Sequence, residues 1–532
     1  MRRLWVGASA LALAAGLWGA EIAAETPKDQ LVIGMNMANM LGLDPHEIGQ
    51  FEPSHVFANV YDQLLATNPD DPSLVVPLAV ESWEVDEQGN ITMTLREGMT
   101  FQSGNPVTVD DVIWSLNRLM TINKSGSSDF KDFGYTADNM PEKLKKIDDR
   151  TFVLEQATPV SADLKLYFLA KPYASVLDSK EIMAHEVDGD LGAGWLATHA
   201  AGSGPFALNR WAPNDIAILQ RFDDYWAGPA KMSRVLVRHI PESQTQRLLL
   251  EQGDLDVGYT LSSADFEGLD KHPDVEIQRI PGGGHYYFAV NMKDPDLGKR
   301  EVREALKWCI DYEGINSAIM TNYGLPWQRL VLPGVLGELP DRGITLDIER
   351  CEQELADAGY PDGMSKTLRV LTLPPFKEIA EAIQATMAQA GVEVEILPGD
   401  GGQVYGSMRK RDFEMLVGRS GGGFIPDPHD TLQGAAYNPD NSDEAQLTGQ
   451  ISWRSSWYFP EVNALIERGL VENDRAKREA IYQEVQRVID EKSSFEFPIS
   501  QRLDPLAVHN RVQNYQGDPT WMVRWEVVDK AD

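Results

Sequence analysis

Apolar positions along the chain repeat with two spacings, and the spacings alternate. Residues 31–35 are a short apolar run that predicts a buried strand, and residues 56–65 repeat at helical spacing. Residues 81–85 and 91–95 alternate on either side of Asp86, Glu87, Gln88, Gly89 and Asn90, which predicts a hairpin. Residues 102–106 form a tight turn. Thr108 then caps a helix from Val109 onward, with Asp110 and Asp111 in its first turn. Further on, helix-like runs at 301–312, 347–358 and 377–390 alternate with strand-like runs at 368–373 and 392–397, the order of a parallel α/β sheet. Glycine and then proline at 359–363 stop the second of those helices. Residues 286–291 and 495–500 are short apolar stretches suited to buried strands that cross between domains.

One stretch breaks the pattern. Residues 413–417 are apolar and long enough for one buried strand. Residues 418–423 then hold four glycines around Arg419 and Ser420, where backbone can take positive φ and approach another group closely. Phe424 to Pro428 is then expected to stop any helix, with Pro426 and Pro428. A strand that opens into bare backbone, one cation and the ring of Phe424 is a candidate ligand wall; the alternative is a surface turn.

Length and charge narrow the field. The 532 residues are too many for one core, so two or three domains are expected. A net charge of −33 with no basic block to offset it excludes nucleic-acid binding, which needs a basic patch. Arg2 and Arg3, the apolar residues 4–17 and the small residues of Ile22-Ala23-Ala24 read as an export signal, residues 1–24, with the mature chain starting near Glu25. No cysteine stands at that junction, so no lipid anchor is expected. The mature protein is expected free in the periplasm. The only cysteines, Cys309 and Cys351, both fall in apparent helices and are expected as two buried thiols rather than a bridge.

Residues 78–119 carry Leu78-Ala79, Glu81-Ser82-Trp83, Leu95-Arg96, Gly98, Phe101, Gly104, Pro106, Thr108, Asp111-Val112, Ser115 and Arg118 in order. This pattern resembles the extracytoplasmic solute-binding proteins of family 5, the peptide, dipeptide and nickel class that serves ABC importers. The resemblance continues through Gly202 to Trp211 with Tyr225-Trp226, residues 246–259, Asn291 to Ile315, residues 355–364 and Asp427-Pro428, across nearly the whole mature chain. It implies an α/β, two-lobed periplasmic-binding-protein fold with an inserted subdomain and two crossing strands as the hinge. Lobe I would take residues 25–65, 202–283 and 495–532, the insertion 66–201, and lobe II 284–494. It further implies capture of an oligopeptide or dipeptide-like solute in an interlobe cleft and delivery to importer permease subunits in the inner membrane. No cofactor is implied, and a monomer is expected.

Peptide binders of this family hold the ligand amine with an Asp in the loop equivalent to residues 418–428. Here Gly421, Gly422 and Gly423 occupy that place, and Asp427 belongs to the more general Asp-Pro feature. The departure fits a solute that is not a zwitterionic peptide, or one whose amine is held elsewhere; an oligosaccharide, an opine-like acid or a metal chelate are the alternatives. Arg419 could take a carboxylate bidentately. Trp453, Trp457, Phe424 and Tyr286 could line the cleft, with core packing the alternative for each. Asn39 and Met40 are candidates by position, and Gly422 and Gly423 as bare backbone.

Enzyme readings are weak by comparison. Residues 418–422 fit G-x-S-x-G with Ser420 as nucleophile, but a helix should follow and Pro426 does instead. Residues 202–207 fit G-x-G-x-x-A without a preceding buried strand. The nine histidines form no H-E-x-x-H pair.

Overall fold

Two long strands carry the chain between its halves. The computed structural model describes residues 26–47, 51–68, 71–259, 261–421 and 425–531; the expected export signal lies outside them. Val275–Val290 and Glu496–His509 pair antiparallel from Val275↔His509 to Ala289↔Glu496. At one end Val275 packs with Phe266, Leu269 and Ala507. At the other, Tyr286 to Val290 join Phe495, Phe497 and Ile499 in a second core. Both crossings are longer than the apolar stretches at 286–291 and 495–500 suggested, because their middles carry half-buried polar residues that mask the strand pattern.

The two strands sit at the centre of an eleven-stranded sheet. On one side it runs through Val257–Gly258, Gln30–Met35 and Arg234–His239 to Ile216–Arg221 and Phe206–Ala212. On the other it runs through Met415–Arg419 and Met364–Leu371 to Val392–Gly399. Met364–Leu371 pairs parallel with both of its neighbours, as the alternating helix and strand pattern predicts.

The insertion has its own four-stranded sheet. The expected hairpin is Val80–Val85 against Ile91–Leu95. Asp86 holds its turn by accepting from the backbone N–H of Gln88 and Asn90 and from the Asn90 amide. Thr108 caps Val109–Ile122, and the Asp111 carboxylate returns a bond to the Thr108 N–H at 3.0 Å. The insertion's core runs from Leu64 to Val176. Leu177, Ile182, Leu196 and Ala201 pack instead with Leu31, Phe57 and Val235 of lobe I. The insertion, expected over 66–201, thus has a core that ends near Val176, because residues 177–201 return over lobe I and bury their apolar side chains there.

The expected helix at 301–312 is interrupted. Arg300–Leu306 tightens into Lys307–Cys309, and Asp311 caps a new helix, Tyr312–Ala318, by accepting from the Gly314 N–H. That break brings Cys309 against Ile348–Asp357, where Cys309 and Cys351 form a disulfide with 5.6 Å between their Cα atoms. The expectation of two free thiols is corrected: helix pairing, which spacing along one chain does not reveal, sets the two side chains face to face. Closing a loop of this length stabilises a fold by roughly 2–4 kcal/mol. Replacing both cysteines by alanine is expected to lower unfolding free energy by about that amount in urea titration. Unreduced protein denatured in guanidinium should bind no thiol reagent; two reactive thiols would contradict the bridge.

Candidate functional site

The glycines after Met415–Arg419 serve a backbone contact first. Arg419 stands opposite Tyr286 on the first crossing strand. Beyond it, the chain keeps following that strand: the Ser420 N–H donates to the His285 carbonyl at 2.9 Å. Gly421 has φ +103°, and a Cβ there would lie 2.2 Å from the Gly283 oxygen. Gly284 has φ +88°, and its Cβ would lie 2.3 Å from the Ser420 oxygen. Two bare backbones therefore press against each other, and only glycine meets both the space and the dihedral.

This junction forms one wall of a cavity of about 290 Å³. Gly283, Gly284, Ser420, Arg419, Arg454 and Asp430 are among the residues that line it. Arg419 is exposed at the end of its strand. Its guanidinium donates to the Tyr286 hydroxyl, and its N–H to the Tyr405 hydroxyl at 3.2 Å. Arg454 donates to the carbonyls of Thr448 and Gly449. Partial burial lowers its pKa, and nearby Arg409 adds to that. Among the described residues neither arginine has a carboxylate within ion-pair distance. Asp430 likewise has no cation at that distance. Protein encloses the cavity on both sides, and this pushes the Asp430 pKa up to about 7; Lys171 opposes the rise, while Asp129 and Asp427 add to it. Water in the cavity still reaches the exposed carboxyl and works against the shift.

The cavity lies on the seam between the halves. Lys171 and Asp129 of the insertion and Asp518 of the C-terminal segment share the field around Asp430. The Ser161 N–H donates to the Leu470 carbonyl at 2.7 Å, and the Ala162 N–H to the Asn473 side chain at 3.1 Å. The insertion and lobe II therefore touch across the cleft.

Ser420 heads a polar chain. The Ser420 hydroxyl lies 3.1 Å from His285 Nδ1, and His285 Nε2 lies 2.7 Å from Glu496 Oε1. The sequence of groups resembles a hydrolytic triad, but the geometry differs. His285 and Glu496 are sealed between the crossing strands. Ser420 Oγ also accepts from the His285 N–H at 3.1 Å, and the next helix starts only at Pro428. Among the described residues the strand–turn–helix elbow that presents a hydrolase nucleophile is missing, although His285 itself borders the cavity.

Of the residues named from sequence, Arg419 reaches the cavity and Tyr286 stands beside it, packed on Phe376. Asp427 does not face it. Its carboxylate pairs with Arg478 at 2.5 and 2.8 Å and caps Pro428–Ala435 through the His429 N–H. Trp453 is buried, donates to the Ser442 carbonyl and stacks under Arg411. Trp457 is buried against Phe459 and Phe495. Both tryptophans are buried in lobe II, held by partners such as Arg411 and Phe495 that lie far away in sequence. Met40 packs in the lobe I core, and Asn39 is exposed and bonds to Glu52. Gly422, Gly423 and Phe424 lie outside the described residues. Sequence reasoning missed Arg454, which lies in the aromatic stretch it singled out, and Asp430, three residues after Asp427. For Asp430 the available signal was its place in the first turn of the helix that Asp427 caps; Arg454 had none. Removing Asp427 leaves Arg478 buried and unpaired, so Asp427→Ala is expected to cost about 3–5 kcal/mol in urea unfolding. A variant of unchanged stability would return Asp427 to a ligand-facing role.

The family model for bacterial extracellular solute-binding proteins, family 5 Middle, matches residues 75–443. The chain is 27% identical over 507 residues to a probable D,D-dipeptide-binding periplasmic protein of Escherichia coli, covering 93% of each. Its fold matches that of HbpA2 from Haemophilus parasuis with a TM-score of 0.80 at 22% identity, over 94% of this chain and 100% of that one. It also matches a binding protein from A. tumefaciens R10 in complex with mannopinic acid, with a TM-score of 0.74 at 21% identity, over 95% and 100%. Such proteins bind the substrates of ABC transporters and are not enzymes. No helix among the described residues is long and apolar enough to cross a membrane. The chain belongs to the family 5 bacterial extracellular solute-binding proteins.

Proposed function

We propose that this chain is the periplasmic capture component of an ABC importer, and that its solute is a small peptide-like acid held by its carboxylate on Arg419 and Arg454. The observation that carries the reading is the pair of arginines beside a cavity with no acidic partner, in a chain of net charge −33. Guanidinium groups left unpaired amid so many acids suit an anion that arrives from outside. Asp430, in the lining of the same cavity, is the counterpart for a solute amine, and replaces the missing acid of residues 421–423. An opine-like acid presents the same carboxylate and is the second reading, supported by the glycines where peptide binders carry an Asp.

Capture makes no bond. A micromolar solute supplies about 8 kcal/mol, from which ordering of the cleft and closure of the lobes are met. The importer permease then reads the closed form, and the binding protein is released for another cycle.

Thermal-shift and calorimetric titration with dipeptides, D,D-dipeptides, opine-type acids and neutral oligosaccharides test the reading. Carboxylate-bearing solutes are expected to stabilise the protein. Arg454→Gln is expected to weaken them by about tenfold to a hundredfold, beyond the small fall in the free protein's melting temperature that losing its bonds to Thr448 and Gly449 brings. A neutral sugar bound equally by both forms would contradict it.

A further inference from the structure

A second cavity, of about 640 Å³, adjoins the first. Their linings come close at two places. Pro281 lines the second and Gly283 the first, two positions apart on the same crossing strand. Leu332 lines the first and Pro333, next in sequence, the second. Two residues of an extended strand span roughly 6–7 Å, which sets the separation of the two linings along that strand.

The second cavity has different chemistry. Ile280, Pro281, Leu325, Pro326, Pro333 and Pro519 form its surface. Proline offers no N–H, so these walls present few donors to a guest. Its polar members are engaged within the protein. The Asp71 carboxylate accepts from the Ser73 hydroxyl and N–H, Gln501 donates to the Gly282 carbonyl, and the Gly517 N–H goes to Gln278. Leu325 is 40% exposed although it lies on a strand paired with the second crossing strand. Its side chain, with those of Ile280, Pro281, Pro326, Pro333 and Pro519, makes the chamber wall largely apolar.

We infer that this chamber is an apolar subsite for the body of the same solute whose carboxylate docks on Arg419 and Arg454, so that the cleft selects amphiphilic acids. The inference rests on the carboxylate reading above. Walls come from the insertion at Asp71 to Ser73, from lobe II at Leu325 and Pro333, and from the C-terminal segment at Gln516 to Pro519. A guest filling it therefore touches both halves, which gives it leverage on closure. Neutral sugars and short polar acids gain nothing there, because the walls cannot replace the hydrogen bonds they leave in water.

The test is calorimetric titration of the purified protein, stripped of bound solute, with N-acylglycines from acetyl to decanoyl. Affinity is expected to rise about threefold to fourfold per methylene until the chamber fills. Leu325→Asp is expected to flatten that dependence, lowering affinity for decanoylglycine far more than for acetylglycine. Arg454→Gln is expected to lower every member by a similar factor and keep the slope. Acylglycines bound with no chain-length dependence, or a slope untouched by Leu325→Asp, would overturn the apolar subsite and leave the carboxylate reading in place. Failure of every acylglycine to bind the wild-type protein would overturn both.

Discussion

The antiparallel ladder between Val275–Val290 and Glu496–His509 is the constraint on which the molecule depends. Each strand starts in one hydrophobic core and ends in the other, so neither half can move without bending this pair. The register slips between Pro281 and His285, where Gly282, Gly283 and Gly284 depart from regular pairing. A bulge at that point concentrates twist and bending in a few residues. On the lobe II side of it, His285 and Glu496 lock the strands together through a buried bond at 2.7 Å. The flexible place and the rigid place are thus neighbours, and the cavity opens between them.

This arrangement ties recognition to motion. Arg419 and Ser420 are fixed to lobe II by the strand that pairs with Tyr286 to Val290. Lys171, Asp129 and Asp518 reach the same seam from the other half. A guest that contacts both sides gains interactions only when they approach, which is the differential contact a two-state closure requires. Rigid halves make the response sharp. The Cys309–Cys351 bridge, the Asp427–Arg478 pair and the large apolar core of lobe II all stiffen the side that carries the arginines.

Local features were legible in the sequence, and tertiary ones were not. The Asp86 turn and the Thr108 capping box are decided by residues within a few positions of one another, and the alternation of helix and strand periods announced the parallel strands around Met364–Leu371. The glycines after Gly418 were legible as special, but their reason was not: they admit the crossing strand, whose identity depends on pairing over more than a hundred residues. Trp453 and Asp427 carry the chemistry of ligand contacts. Only the fold reveals that Ser442 and Arg478 already satisfy them. Arg454 is the converse case. An arginine in a short helix reads as a solvated side chain until the cavity beside it is known.

The central claim is that the two halves swing about the paired strands and close over a solute, which leaves unaltered. Small-angle X-ray scattering of the protein stripped of solute, and then saturated with a carboxylate-bearing ligand found by calorimetry, tests this most directly. The account predicts a fall in radius of gyration and a more compact distance distribution on saturation, with the ligand recovered intact. Superimposable profiles at full occupancy by a tightly held ligand would contradict it.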